Sequence, residues 1–305
     1  MTTTTTRRSR GCARVLAGAV AVLAMAPAAR AGTAIDKRAP VDPSGAVEVS
    51  NLSGTVKVTG WDKNEVEVTG ELGEGSERLE FATVDNVTRI KVILPSHAAN
   101  VDDTDLVIRM PAPSRLSVNT VSADIEVAGI AGAQRLQSVS ADVHTEAGSE
   151  DVECKTVSGD IVLNGSGKKG LVTITTVSGD VSALKVSGEV NVNTVSGDMV
   201  LGLGPTDRSR VRSTSGDVTL ASLLAPEGKL DAETISGDVR LTLLQPVNAE
   251  FDVSSFNGDI HNCFGPKPVT TSEYTLGKEL RFREGQGTGR VRIKTLNGDI
   301  SVCRK

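Results

Sequence analysis

Ser-Gly-Asp followed by an aliphatic residue recurs along most of this 305-residue chain. Its Asp falls at Asp124, Asp142, Asp160, Asp180, Asp198, Asp217, Asp238, Asp259 and Asp299, at intervals of 18, 18, 20, 18, 19, 21, 21 and 40 residues. The last interval is about twice the others. Glu279 sits at its midpoint in "LGKELRF", where Leu276, Leu280 and Phe282 keep the repeat's apolar offsets. That stretch reads as a degenerate copy. "NLSGTVKV" (51–58) reads as an earlier one, with Thr55 in place of the Asp. A unit this short cannot bury an apolar face alone, so the units must stack.

Aligning the repeats on Asp predicts which positions face inward. One residue after it stand Ile125, Val143, Ile161, Val181, Met199 and their equivalents; six before it stand Val118, Leu136, Cys154, Ile174 and theirs. Three before it stand Val121, Val139, Val157, Val177, Val195, Thr214, Ile235, Phe256 and Leu296. All three columns are expected inside, with a change of parity at a corner between the sixth and third residue before Asp. Each repeat is then a short strand, a corner and a second strand. The expected fold is all-β: a solenoid, a single-stranded parallel β-helix with coils of about 18–21 residues. Right-handed winding is expected, because parallel crossovers take that hand.

Composition agrees with strands. Aromatics make up only 2% of the chain, while Val and Thr, which favour pleated surfaces, are abundant. The N-terminus is different. Arg7, Arg8, Arg10 and Arg14 precede an apolar run, Val15 to Ala29, and Ala29-Arg30-Ala31 has the small-x-small form of a cleavage site. Residues 1–31 are expected to be a secretory signal peptide, leaving a protein exported to the periplasm, the cell surface or the medium, with no stable membrane insertion. Cys12 precedes the apolar run, the wrong side for a lipid-anchoring cysteine. Without the five arginines of this segment, 28 Lys and Arg remain against 38 Asp and Glu. No run of the sequence offers a basic stripe, which argues against nucleic acid.

Residues 32–40 are expected to be a linker. Residues 41–115 hold longer alternating strands and are expected to form an N-terminal β subdomain that caps repeats spanning 116–305, since an open solenoid end exposes unpaired strand groups. The order "NLSGTVKVTGWDKNEVEVTG", then "LVIRMPAPSRLSVNTVSADIEVAGIAG", then serial "TVSGDV" resembles the bacterial DUF4097 family. The resemblance runs from about Val41 to the C-terminus. It implies an exported, repetitive β-solenoid grouped with the head domains of adhesins; some relatives are associated with envelope-stress systems. It carries over no catalytic residue. Ala123 and Ala141 depart from the pattern at Gly, and Asn257 and Asn297 at Ser.

The nine motif aspartates could form a Ca²⁺-binding edge, or each could hydrogen-bond its own turn; the second reading is preferred and no cofactor is expected. Neighbouring carboxylates about 5 Å apart would repel by roughly 1 kcal/mol or less in water. Ser, replaced by Asn, reads as a polar corner cap. Gly, replaced twice by Ala, reads as a small residue at a bend without a strict left-handed turn. Cys263 and Cys303 both lie four residues after a motif Asp. They could pair if residues 264–290 are an excursion, and could not if a Glu279 coil intervenes. Cys154 is expected to be a buried small hydrophobe. No Cys/His spacing suggests a metal site.

An enzyme would need clustered carboxylates and a groove. The densest acidic group, Asp102, Asp103 and Asp105, reads as a solvated turn, and His97, His144 and His261 are scattered. The expectation is therefore a non-enzymatic, adhesin-like scaffold that binds an envelope protein or a glycan. The alternatives are an envelope-stress regulatory or interaction protein and, more remotely, a β-helix carbohydrate-active enzyme.

Overall fold

The computed structural model describes residues 1–4, 32–96, 101–271 and 277–305. The signal-peptide reading, His97 and Leu276 fall outside the described residues, apart from the first four of the chain. Every regular element among the described residues is a β-strand. Two ladders of stacked strands share one core, one ladder upstream of the Ser-Gly-Asp corner and one downstream.

The upstream ladder stacks Val87–Ile93, the first half of Ala46–Trp61, the first half of Arg115–Ala128, Gln134–Gln137, Val152–Lys155 and Lys169–Thr175. It continues through the second halves of Val181–Asn193, Met199–Ser215 and Val218–Ser236, then Gly289–Asn297 and Ala249–Asn257. All these pairings are parallel. The downstream ladder repeats the same order, from Thr104–Pro111 through Val143–Ala147, Ile161–Gly165 and Val239–Leu243 to Ile300–Arg304 and Ile260–Asn262. Thr55 is in register with Asp124, so residues 46–61 form a true coil.

The architecture departs from a solenoid wound in chain order. Arg115–Ala128 and Val181–Asn193 each run through both ladders. They close a ring of seven parallel strands with Gln134–Gln137, Val152–Lys155, Lys169–Thr175, Ile161–Gly165 and Val143–Ala147. At each end a coil is inserted out of order. Residues 46–61 lie between 87–111 and 115–128; residues 289–304 lie between 229–243 and 249–262.

The ends are closed by antiparallel strands, and three expectations are corrected there. Thr33–Pro40 is no linker: it pairs with Glu65–Leu72, which in turn pairs with Thr104–Pro111. Residues 41–115 are not a separate cap, because Ala46–Trp61 joins both ladders and Gly32–Lys305 is one unit. Glu279 marks no coil. Lys278–Glu284 runs antiparallel to Ala249–Asn257, so Leu280 and Phe282 face the core with reversed chain direction. Phe282 stacks on Phe251 at 4.3 Å between ring centroids, and Phe264 tilts against both. Residues 264–271 and 277–288 thus lie outside the coil stack, the coils of Cys263 and Cys303 are neighbours, and Cys263 is bonded to Cys303.

The core columns one residue after and six residues before Asp are buried in every repeat, with Ile125, Ile161, Leu136, Ile174 and Val192 at 0–1% exposure. Each such side chain contributes roughly 2 kcal/mol by leaving water. Cys154 lies among them, and burial pushes its thiol up to about 12, leaving it neutral. The third column does not belong to the core. Val121, Val139, Val157, Val177 and Val195 are 42–48% exposed, while the Thr or Ser just before each is buried. Strict alternation continues from the sixth to the fourth residue before Asp. The two adjacent outward residues are therefore the Val and the Ser of Val-Ser-Gly-Asp.

Candidate functional site

The corner is where the backbone ladder changes partner, and its residues follow from that. The amide of each motif Ser donates to the carbonyl of the Val one coil earlier, as in Ser178 N to Val157 O at 2.8 Å. The amide of the Gly donates to the Ser carbonyl one coil later, as in Gly179 N to Ser196 O at 3.2 Å. The residue after Asp donates to the Asp carbonyl of the next coil, as in Val181 N to Asp198 O at 2.9 Å. The Asp amide itself meets no carbonyl. A carboxylate fills that gap.

Asp142 N donates to Asp124 Oδ1 at 3.1 Å, Asp160 N to Asp142 Oδ1 at 2.9 Å, and Asp180 N to Asp160 Oδ1 at 2.8 Å. The series runs on through Asp198, Asp217, Asp238 and Asp299 to Asp259. Eight bonds link all nine aspartates, in the spatial order of the coils. The preferred expectation, an Asp bonded to its own turn, is corrected: each carboxylate but that of the terminal Asp259 serves the following coil. Charge-assisted bonds to N–H groups also offset the repulsion along the column. Lys278 Nζ caps the terminal Asp259 carboxylate, and Arg240 bridges Asp217 and Asp238 at 3.0 and 2.8 Å. The Asp238 amide, followed by Arg240, holds the Asp217 carboxyl below its ordinary value.

The small residue is set by the neighbouring coil. A Cβ on Gly237 would lie 2.1 Å from the Gly216 carbonyl oxygen, and Gly237 has φ +144°. Positive φ is used at Gly54 and again from Gly197 onward, whereas coils between them accept Ala123 and Ala141. The motif Ser side chains make no cap: among the described residues, the Ser158, Ser178 and Ser196 hydroxyls are exposed and the backbone amide does the bonding.

Outside these bonds lies an apolar edge. In spatial order it runs Val121, Val139, Val157, Val177, Val195, Thr214, Ile235, Leu296 and Phe256, each exposed. Nine positions at the inter-strand spacing span about 40 Å. Beside its C-terminal end a cleft of about 700 Å³ is lined by Ile235, Phe256, Leu296, Glu233, Lys278 and Lys294 among others. An apolar column this long on a water-facing corner makes this edge the candidate site. The sequence had a signal for it: the Thr/Ser column one position earlier keeps the period of the strand, and the Val column breaks it.

The other candidate residues are not brought together. Asp102, Asp103 and Asp105 are exposed at the N-terminal end, and His144 and His261 lie on different coils. Among the described residues, the His, Cys, Asp and Glu side chains close enough to share a metal are His261, Cys263 and Cys303, and the disulfide consumes both sulfurs.

The Toastrack DUF4097 family model matches residues 47–303. The chain belongs to that family. Solved structures that the chain aligns with include a "putative adhesin" from Bacteroides fragilis, 10% identical over 88% of this chain and 97% of the other, with a TM-score of 0.42. A "putative adhesin" from Parabacteroides distasonis aligns over 88% and 97% at 11% identity and a TM-score of 0.31. A "putative cell adhesion protein" from Clostridium sporogenes aligns over 90% and 100% at 11% identity and a TM-score of 0.24. No curated protein matches the sequence. No helix of the described residues is long and apolar enough to cross a membrane.

Proposed function

We propose that this Toastrack protein is an exported, non-enzymatic binding scaffold, adhesin-like in action, wound as a right-handed β-helix. It engages an envelope protein or glycan along the Val121-to-Phe256 edge. The observation that carries this reading is the edge itself, eight apolar residues and one Thr held outward on a rigid coil spacing. A repeated column supplies many small contacts, each adding burial without reshaping the coil. The disulfide fits an oxidising compartment, and the signal-like N-terminus fits export. The scaffold works without a cofactor, so its melting temperature is expected not to move with calcium.

The test couples the purified protein to beads and presents isolated envelope material, untreated or protease-digested. Wild type is expected to retain a component that the Val139→Thr, Val157→Thr, Val177→Thr variant loses at least tenfold. Protease sensitivity of that component separates protein from glycan. Equal retention by both proteins overturns the reading.

A further inference from the structure

The C-terminal half of the upstream ladder carries a second surface, on its outer face. Arg208, Arg210 and Arg212 alternate outward along one strand, and Arg290, Arg292 and Lys294 along another. The strand between them sets Lys229 opposite both Arg208 and Arg290. Like charges directly opposite one another destabilise a sheet, so this row of three cations works against the fold. Arg212 is met by Glu233 and Arg292 by Asp252. Among the described residues no ion pair or hydrogen bond engages the side chains of Arg208, Arg210, Lys229, Arg290 or Lys294. In the N-terminal half of the same ladder more of the cations are paired: Arg89 with Glu48, and Arg135 and Lys155 with Glu153. Beside the row, a cleft of about 490 Å³ is lined by Arg281, Arg283, Arg290 and Arg292 with Glu250 and Asp252.

We propose that this face binds an anionic polysaccharide, with Arg208, Lys229 and Arg290 as the central contacts. The ligand class follows from the shape of the charge. Asp231 and Glu233 lie between the two cationic strands, and Glu189 and Glu250 stand at the ends of the row. The positive charge is therefore two narrow tracks about 10 Å apart, joined at Lys229. Along each track the cations recur every second residue, roughly 7 Å. A flexible chain with spaced sulfates or carboxylates can follow a track and avoid the acids. A lipid surface or a nucleic-acid duplex lays phosphates over the acids as well. The central contacts Arg208, Lys229 and Arg290 do not line the cleft beside the apolar edge, although Glu233 and Lys294 do, and the proposal does not depend on that edge.

The test measures binding of the purified protein to heparin, to polygalacturonate, to phosphatidylglycerol vesicles and to duplex DNA. Binding of at least one polysaccharide is expected, weakening as salt rises. The Arg208→Gln, Lys229→Gln, Arg290→Gln variant is expected to lose at least tenfold. A control that removes three cations elsewhere, Lys57→Gln, Arg89→Gln, Arg135→Gln, is expected to change less than twofold. All six residues are exposed, and a single cooperative melting transition verifies that each variant folds, with the Arg208→Gln, Lys229→Gln, Arg290→Gln variant melting no lower than wild type. Heparin binding alone supports the proposal and narrows the ligand to sulfate esters. Binding to neither polysaccharide, equal loss in the control, or tighter binding to vesicles or DNA overturns it.

Discussion

Three columns run side by side along one corner, repeated with equal regularity, and they differ in what they touch. The Gly and Asp columns bind coil to coil. Each Gly lies against the preceding coil's carbonyl, and each Asp carboxylate accepts the next coil's amide. The Val column, three residues before Asp, touches no core and is nearly half exposed. Regular recurrence in a repeat protein therefore does not by itself mean structural need. The Asp column recurs because the backbone leaves an amide unpaired; the Val column has no such backbone role, which is why the proposed contact is placed on it.

The comparison breaks first, and hardest, at the glycines. Gly237→Ala places a Cβ 2.1 Å from a backbone oxygen at φ +144°. Neither the carbonyl nor the dihedral can relax without opening the coil. The expected cost is about 2–4 kcal/mol, read by denaturant unfolding. The reverse change at the head of the column, Ala141→Gly, relieves no such conflict and is expected to cost about 1 kcal/mol or less. A loss of under 0.5 kcal/mol for Gly237→Ala would mean that the coils are not in close backbone contact.

The Asp column separates acceptor from charge. Asp180→Ala removes the partner of the Asp198 amide and is expected to cost about 1–2 kcal/mol, with water replacing part of the bond at this exposed edge. Asp180→Asn keeps an oxygen in place and lowers repulsion along the column, so its effect is expected to stay within about 0.5 kcal/mol. If Asn costs as much as Ala, the negative charge is required, and a cation-binding role for the edge regains weight.

Much of this molecule was legible in its sequence. The all-β class, the register of the coils and the two deepest core columns follow from spacing and hydrophobicity. The coil at Thr55 follows from the motif alone. The error at the Val column came from ranking hydrophobicity above parity. Val at the third position looked like core and Thr at the fourth like surface, whereas the strand alternates without regard to either. The inserted coils at 46–61 and 289–304 were invisible because repeat spacing fixes register, not stacking order. The basic row was invisible for a related reason: Arg208, Lys229 and Arg290 are far apart in sequence and meet only when residues 289–304 insert beside 229–243.

Acid provides a graded test of the Asp column. The Asp217 carboxyl is held below its ordinary value of 3.8 by the Asp238 amide and then by Arg240. A depressed folded-state value stabilises the protein above the unfolded value, and the stabilisation is lost as pH falls through the folded one. The melting temperature is thus expected to fall below about pH 4, and Asp217→Asn is expected to flatten that fall. An identical acid profile in the variant would remove Asp217 from the list of coil-linking groups.

The smallest expected effect on stability is the one that decides the corner's meaning. Val157→Thr and Val177→Thr keep the β-branch that suits a strand and change one methyl for a hydroxyl on an exposed side chain. Neither residue packs in the core, so each change is expected to move unfolding by no more than about 0.5 kcal/mol. Exposed apolar side chains at eight of nine consecutive coils then have no folding reason to be there, which is the result the proposed contact requires. If instead each Thr costs 1 kcal/mol or more, the Val column braces its neighbours along the edge. It would then stand with Gly and Asp as a device for holding coils together, and the binding edge would have to be sought on another face.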